Sequence, residues 1–166
     1  GLSDAGQPIG IRGGARLTGK VSGNNVALMD LQTEEFNGRP ADNFLVARYS
    51  KDIRRRSKLG GLFINKESMN SPRFNRVAAA DALFAPNRAF SIHTIAAKSM
   101  SPNVTTENNA YHARALYLDT KWQTYAEFSQ IDRNFNDEVG FIPRTGIRQS
   151  KVHIERNPRP GGLIRV

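Results

Sequence analysis

Asp81, Ser91 and His93 are of the residue types that a hydrolase uses, and the sequence places two of them close together. If residues 85–89 form a turn between two strands, Asp81 lies opposite His93 and a carboxylate stands beside an imidazole. Ser91 shares a strand face with His93, but the sequence contains no nucleophile elbow and no oxyanion loop. We therefore interpret Asp81 and His93 as a polar pair on a wet surface, and we expect this segment not to be an enzyme.

The other two histidines also indicate polar pairs and not a catalytic or metal site. His112 is expected opposite Glu127 on a neighbouring strand, which is again a polar pair. His93, His112 and His153 do not have the spacing of a known metal site, and the chain contains no cysteine. We predict no catalytic residue, no metal site and no cofactor.

Positive charge is the second chemical feature of the chain. Its 24 Lys and Arg residues outnumber 15 Asp and Glu, for a net charge of +9. The cluster Arg54–Arg56 with Lys58 could bind phosphates. A nucleic-acid-binding sheet, however, combines such charge with aromatic residues on one face. The aromatic residues from Tyr111 to Phe128 share a face with Ala and Thr instead, so we do not expect nucleic acid as a partner.

These residues lie on segments in which apolar and polar residues alternate, the period of a β-strand. From Ile9 to Val21 every odd-numbered residue is apolar or small. We predict about nine strands, with Leu163–Val166 as a tenth. No apolar run reaches the roughly 18 residues of a membrane-spanning helix. The further predicted strands are Val26–Gln32, Asn43–Lys51, Leu59–Lys66, Asn75–Phe84, Phe90–Lys98, Tyr111–Leu118, Trp122–Gln130 and Gln149–Arg156.

Short and long connections alternate between these strands. In an up-and-down meander this alternation places all short turns at one edge and all long loops at the other. Transmembrane barrels of the bacterial outer membrane have this asymmetry. The strands, at about ten residues, are also longer than the five or six typical of ordinary sheets.

Hairpin register was assigned by requiring apolar residues to lie opposite one another. Leu59–Lys66 is apolar on both faces, so no register is assigned to it. The expected pairs are Tyr117 with Trp122 and Tyr111 with Phe128 around a turn at Asp119–Thr120, Phe84 with Phe90 around residues 85–89, and Val21 with Ala27, Gly19 with Met29 and Leu17 with Leu31 around Gly23–Asn25.

This register divides the side chains into a lipid-facing and a lumen-facing set. Aromatic residues suit the headgroup level of a membrane, because one end of each ring is apolar and the other wet. The predicted lipid-facing girdle is Phe84, Phe90, Tyr111, Tyr117, Trp122 and Phe128. The predicted lumen-facing residues, which would set solute preference, are Arg16, Lys20, Asp30, Asp81, His93, His112, Arg114 and Glu127.

Four stretches in order along the chain carry a resemblance to one family. They are Gly14–Lys20, Asn43–Arg48, Asn75–Val77 leading to Asp81, and Phe135–Arg144. They resemble outer-membrane β-barrel proteins of unknown function whose longer members carry an N-terminal domain similar to family-nine carbohydrate-binding modules. The resemblance implies a barrel and a link to carbohydrate. It assigns no sugar-binding role to any residue here.

The sequence as a whole predicts an all-β protein, an antiparallel up-and-down meander of about nine or ten strands that is part of a transmembrane β-barrel. We interpret residues 1–166 as one barrel region of a longer protein in the outer membrane of a Gram-negative bacterium. Its expected partners are outer-membrane lipid and a saccharide or other solute that it binds or lets pass. A soluble basic β-sandwich that binds nucleic acid or acidic polysaccharide is the alternative, and an outer-membrane hydrolase with its site elsewhere is the third hypothesis.

Overall fold

A computed structural model describes residues 7–54 and 56–158 of the chain. It confirms the antiparallel meander: nine strands form one open sheet in chain order. The predicted tenth strand at 163–166 lies outside the described residues. No helix in the described ranges is long and apolar enough to cross a membrane. The strands are β1 (Ile11–Val21), β2 (Asn24–Thr33), β3 (Asp42–Arg54), β4 (Ser57–Ser68), β5 (Phe74–Phe84), β6 (Phe90–Met100), β7 (Asn109–Leu118), β8 (Trp122–Ile131) and β9 (Ile147–Arg156).

The connections divide between the two edges of the sheet as the sequence predicts. The turns at 22–23, 85–89 and 119–121 lie at one edge, together with the turn that joins β3 to β4, and we call this the turn edge. The loops at 34–41, 69–73, 101–108 and 132–146 lie at the opposite, loop edge. The longest of them, residues 132–146, folds back over the sheet.

The predicted register of the first hairpin is wrong, and the error exchanges the two faces of β2. The turn contains two residues, Ser22 and Gly23, both with positive φ, of 48° and 77°. Such two-residue turns match the twist of a hairpin. Leu17 therefore pairs with Leu28, not with Leu31. Because the register moves by an odd number of residues, Met29 and Leu31 lie on the face opposite to the predicted one.

Ala27 likewise lies on the polar side that carries Thr18, and not on the predicted apolar side. Asp30 changes face in the opposite direction. Asp30 lies opposite Ala15 and Leu45, on the face that carries Leu17. The prediction that Asp30 shares a face with Lys20 is therefore wrong. Its carboxylate accepts a hydrogen bond from Asn43 at 3.2 Å near the loop edge.

The other two assigned hairpins are displaced by two residues, which changes partners and leaves the faces unchanged. Tyr117 lies opposite Thr124 because the turn at 119–121 has three residues. Asp119 Oδ1 fixes this turn by accepting the backbone N–H groups of Lys121 and Trp122, each at 2.7 Å. Phe84 likewise lies opposite Ile92, not Phe90.

Residues that lie opposite one another share a face, so the register divides the sheet into an apolar face and a polar face. On the apolar face, a band of small residues such as Ala80, Ala113 and Ala126 crosses the middle strands. Charged residues of this face are confined to its two ends. All six predicted girdle residues are on the apolar face: Phe84, Phe90, Tyr111, Tyr117, Trp122 and Phe128.

Much of the apolar face is exposed. Leu17 is 64 % exposed, Val152 73 % and Ile154 68 %. The small apolar core lies on the other side, where Ile64 and Val77 of the polar face pack with Phe135 of the 132–146 loop. Val139 and Ile142 of the same loop pack against this cluster. This packing explains why Leu59–Lys66 is apolar on both faces: the loop covers its inner residues.

Candidate functional site on the polar face

The polar face collects seven of the eight predicted lumen-facing residues, and only Asp30 lies on the other face. The structure thus brings together most of the chemistry that the sequence singled out, although with different partners. Arg16 and Lys20 are exposed on β1, the first strand of the sheet. The seven residues are Arg16, Lys20, Asp81, His93, His112, Arg114 and Glu127.

Asp81 pairs with Arg48 and not, as the sequence predicts, with His93. The two-residue register displacement puts His93 opposite Leu83. The Arg48 guanidinium, on β3, reaches across β4 and donates two hydrogen bonds to the Asp81 carboxylate; the Nη2–Oδ2 distance is 2.8 Å. Both oxygens of Asp81 are engaged in this bidentate pair, which leaves the carboxylate poorly suited to serve as a base.

Gly60 lies beneath this ion pair and makes it possible. A Cβ at position 60 would lie 2.6 Å from Arg48 Nη2 and 2.8 Å from Asp81 Oδ1. Any side chain there would displace one partner. Gly61, on the apolar face, would meet only a backbone oxygen of Ala79, at 3.8 Å. The ion pair therefore requires a glycine at position 60 but not at position 61.

Nearer the turn edge, charged side chains of alternating sign cross the polar face. Asp52 lies between two lysines, 3.5 Å from Lys20 Nζ and 3.6 Å from Lys58 Nζ. On the same face, toward the last strands of the sheet, Glu127 of β8 lies between two cations. These are Arg114 on β7, at 3.9 Å, and Lys151 on β9, at 3.7 Å. The distances are those of loose, solvated ion pairs, whose side chains remain available to a polar solute.

Two aromatic contacts extend this row of charges. The Arg114 guanidinium lies over the ring of Tyr125, 4.7 Å from its centroid. Tyr125 in turn stacks on His153, with centroids 5.1 Å apart and planes inclined by 18°. His112 contacts Ser129, with 2.9 Å between Nδ1 and Oγ, so its predicted pairing with Glu127 is wrong. The cause is again the three-residue turn at 119–121.

The loop half of the polar face is closed by residues 132–146, which two buried side chains anchor. Asn75 is fully buried, and its amide donates to the carbonyl of Asn136 at 3.0 Å and accepts the N–H of Glu138 at 3.1 Å. Ser99, 1 % exposed, accepts the N–H of Asn136 at 3.0 Å. Asn75 thus pairs with the loop backbone as a neighbouring strand would.

Charged groups hold the same loop at its start and near its middle. Lys66 Nζ lies 2.7 Å from Glu138 Oε2 and 3.6 Å from Asp42 Oδ2. Asp132, the first residue of the loop, accepts hydrogen bonds from the Gln130 amide and from Asn109, and these hold the pKa of its carboxyl below the usual value. The loop is therefore a fixed part of the polar face.

Sequence reasoning did not assign a role to Asn75, Lys66, Arg48 or Gly60. Asn75 and residues 135–144 do belong to stretches that carry the family resemblance, and the structure shows that these two stretches contact each other. Asn75 lies two residues before the apolar Val77, so both side chains are on the same face of β5. A polar residue at a position where an apolar one continues the pattern is the signal that could have identified Asn75.

Between the loop and the sheet lies a cavity of about 330 Å³. Its wall is mostly apolar, and polar groups come from His112, Ser129 and Asp137. The described residues contain no group of three or more His, Cys, Asp or Glu side chains suited to a metal ion. Asp81 is held by Arg48 and His93 lies opposite Leu83, so these two residues do not form the pair that the sequence suggested.

Comparison with known proteins gives no family for this chain. No protein-family model, no curated protein and no solved structure matches it.

Proposed function

We propose that this chain forms part of the wall of an outer-membrane β-barrel. In this arrangement the apolar face contacts lipid, and the polar face lines a water-filled lumen through which a solute passes or in which it binds. The observation that carries the proposal is the exposed apolar face: large aliphatic and aromatic side chains such as Leu17, Tyr49 and Trp122 lie outward and exposed. Soluble proteins rarely expose apolar patches of this extent without a partner.

The ends of the apolar face support the same proposal. Arg76 and Lys98 follow the apolar band on β5 and β6 at the loop edge, and Lys51 and Arg156 lie beyond it at the turn edge. Charges at a membrane protein's interfaces cost little, whereas charges at the bilayer midplane cost several kcal/mol. A charge-free band flanked by charges is the distribution that lipid favours.

On the proposed lumen side, residues 132–146 narrow the passage at the loop edge. The charged rows around Asp52 and Glu127 stay open toward the turn edge, where they would contact a hydrated solute. We propose a polar solute, with saccharide as the class that the family resemblance implies. The segment has no enzymatic role in this proposal.

The soluble β-sandwich remains the competing hypothesis. A sandwich covers the apolar face of one sheet with a second sheet. The described residues form one sheet only, so the second sheet would have to come from outside them. The two hypotheses differ in what covers the apolar face, lipid or protein.

Adjacent cysteines on β7 test the proposal. The chain has no native cysteine, so Arg114→Cys and Ala115→Cys each introduce one unique thiol, on the polar and apolar face respectively. In phosphatidylcholine vesicles we expect a water-soluble maleimide to label position 114 and to leave position 115 unlabelled until the vesicles are dissolved. A chain that is folded and monomeric in plain buffer, with both positions labelled there, would contradict the proposal.

A further inference from the structure

A second cationic feature lies at the turn edge, away from the charged rows of the polar face. A cavity of about 420 Å³ lies between two neighbouring turns, the one that joins β3 to β4 and the one at 85–89. Arg54 and Arg56 line it from the first turn and Arg88 from the second, and all three residues are exposed. Ala85, Pro86 and Asn87 complete the wall.

Hydrogen bonds within and between the turns fix the shape of this cavity. Ser57 is only 3 % exposed, and its hydroxyl accepts the N–H of Ala85 at 3.1 Å, which ties the start of β4 to the second turn. Asn87 Oδ1 accepts the N–H groups of Ala89 at 2.9 Å and Phe90 at 2.8 Å. Such side-chain-to-backbone bonds stabilise a turn, and here they fix the backbone that carries Arg88.

The three arginines around the cavity have no acidic partner in the part of the chain that the structure describes. Among the described residues, no acidic side chain forms a salt bridge with Arg54, Arg56 or Arg88. Asp52, two positions before Arg54, is paired with Lys20 and Lys58 instead. Guanidinium groups that converge without a counter-charge repel one another and favour a bound anion.

We propose that Arg54, Arg56 and Arg88 bind a phosphate group, from a lipid headgroup or from free phosphate. The planar guanidinium donates paired N–H groups that match phosphate oxygens. Phe84 and Phe90 flank the second turn on the apolar face, which is where aromatic rings lie at the headgroup level of a membrane protein. The phosphate chemistry itself does not require the sheet to be part of a barrel.

Titrations of the full chain in maltoside micelles, which contain no phosphate, test the proposal. The two probes are inorganic phosphate and phosphatidylglycerol added to the micelles, each followed by phosphorus NMR. A basic residue near a lipid surface contributes roughly 1 kcal/mol, or about fivefold in affinity. We therefore expect R54Q/R56Q/R88Q to bind on the order of a hundredfold more weakly than the unmodified chain.

A charge-matched variant, R12Q/K121Q/R144Q, removes three exposed cations outside the cavity and should bind as the unmodified chain does. Phosphate binding that requires the three arginines identifies free phosphate as a ligand, and binding of the lipid alone identifies the headgroup; both support the proposal. Equal losses in the two triple variants, or no binding of either probe, would overturn it. So would an oligonucleotide that binds through these arginines when neither phosphate probe binds.

Single variants keep the test decisive if the triple variant does not fold. R88Q should weaken binding about fivefold, while K121Q, also in a turn at this edge, should leave it unchanged. Equal affinities of R88Q and K121Q would overturn the proposal. Raising the salt concentration should weaken binding in the unmodified chain, because the arginines are exposed and their charges are screened.

Discussion

The two faces of this sheet differ in the interactions that their side chains make. Within residues 7–54 and 56–158, the salt bridges that join strand residues lie on the polar face, among them Arg48 with Asp81 and Arg114 with Glu127. The apolar face instead carries exposed aliphatic and aromatic groups from Leu17 to Ile154. In a water-soluble sheet the buried face is the apolar one. Here the face with the charges is the one that a loop partly covers, and the apolar face is left exposed.

The polar face is itself divided into two halves. Toward the loop edge, Ile64 and Val77 are buried beneath Phe135, and fully buried Asn75 holds the loop backbone. Toward the turn edge, loose ion pairs stay in contact with solvent. The first half fixes the shape of the proposed lumen, and the second gives it charge.

The largest expected effect comes from placing a charge on the apolar face. Ala126→Arg lies between Ala115 and Val152 in the middle of that face. A cation at the lipid-facing midplane destabilises a barrel by about 2–4 kcal/mol. The measurement is the free energy of unfolding by urea in lipid vesicles.

Gln149→Arg provides the control for this prediction, because Gln149 lies on the neighbouring strand β9, is exposed and belongs to the polar face. We expect a smaller loss there, since the new guanidinium remains in water. Equal losses for the two variants would remove the distinction between the faces.

Removing the loop anchor should have the next largest effect. Asn75→Ala leaves the N–H of Glu138 and the carbonyl of Asn136 without their partner in a partly buried place. An unpaired buried group costs about 1–3 kcal/mol, so for two partly buried groups we expect a loss of roughly 2 kcal/mol in the free energy of unfolding.

Limited trypsin digestion separates this effect from general destabilisation. Arg133 and Arg144 lie within the loop, and cleavage there should become faster in Asn75→Ala. Asn43→Ala, whose side chain bonds exposed groups near the same edge, should leave the cleavage rate unchanged. A protected loop in the Asn75 variant would show that the anchor is dispensable.

A smaller effect is expected where the ion pair crosses β4. Gly60→Ala forces Arg48 and Asp81 apart, and the loss of a charged bidentate pair in a half-exposed place should cost about 1–2 kcal/mol. Gly61→Ala adds the same methyl group on the apolar face, where it meets an ordinary contact. The measurement is again urea unfolding, and a loss as large at Gly61 would contradict the role given to Gly60.

The smallest effect concerns the turn that set the register of β7 and β8. The N–H of Lys121, the Tyr117 hydroxyl and the N–H of Trp122 hold the pKa of Asp119 below its usual value. Because the folded pKa is the lower one, Asp119 stabilises the fold above the pKa of the unfolded chain, about 4, and this contribution is lost as the pH falls through the folded pKa.

We therefore expect Asp119→Ala to be less stable than the unmodified chain at neutral pH, with the difference shrinking below about pH 4. Unfolding midpoints measured from neutral to acidic pH test this. A difference that does not change with pH would mean that the Asp119 charge contributes nothing to the turn.

The sequence predicted the strands, their order and the asymmetry of turns and loops, because alternation and connection length are local properties. It failed in register because two turn lengths differ from the predicted ones. The turn at Ser22 has two residues where three were predicted, and the turn at Asp119 has three where two were predicted. A two-residue error kept His93 and His112 on the correct face with the wrong partners. A three-residue error moved Asp30 to the other face. The Asn75 anchor joins residues far apart in the chain, which periodicity does not detect.

Trp122 provides the most direct test of the central claim, that the apolar face contacts lipid. It is the only tryptophan of the chain and lies on that face. In vesicles of brominated phosphatidylcholine we predict strong quenching of its emission and little quenching by aqueous acrylamide. In Trp122→Phe combined with Tyr125→Trp, which moves the indole to the polar face, the order should reverse. Quenching of Trp122 by acrylamide alone would contradict the account.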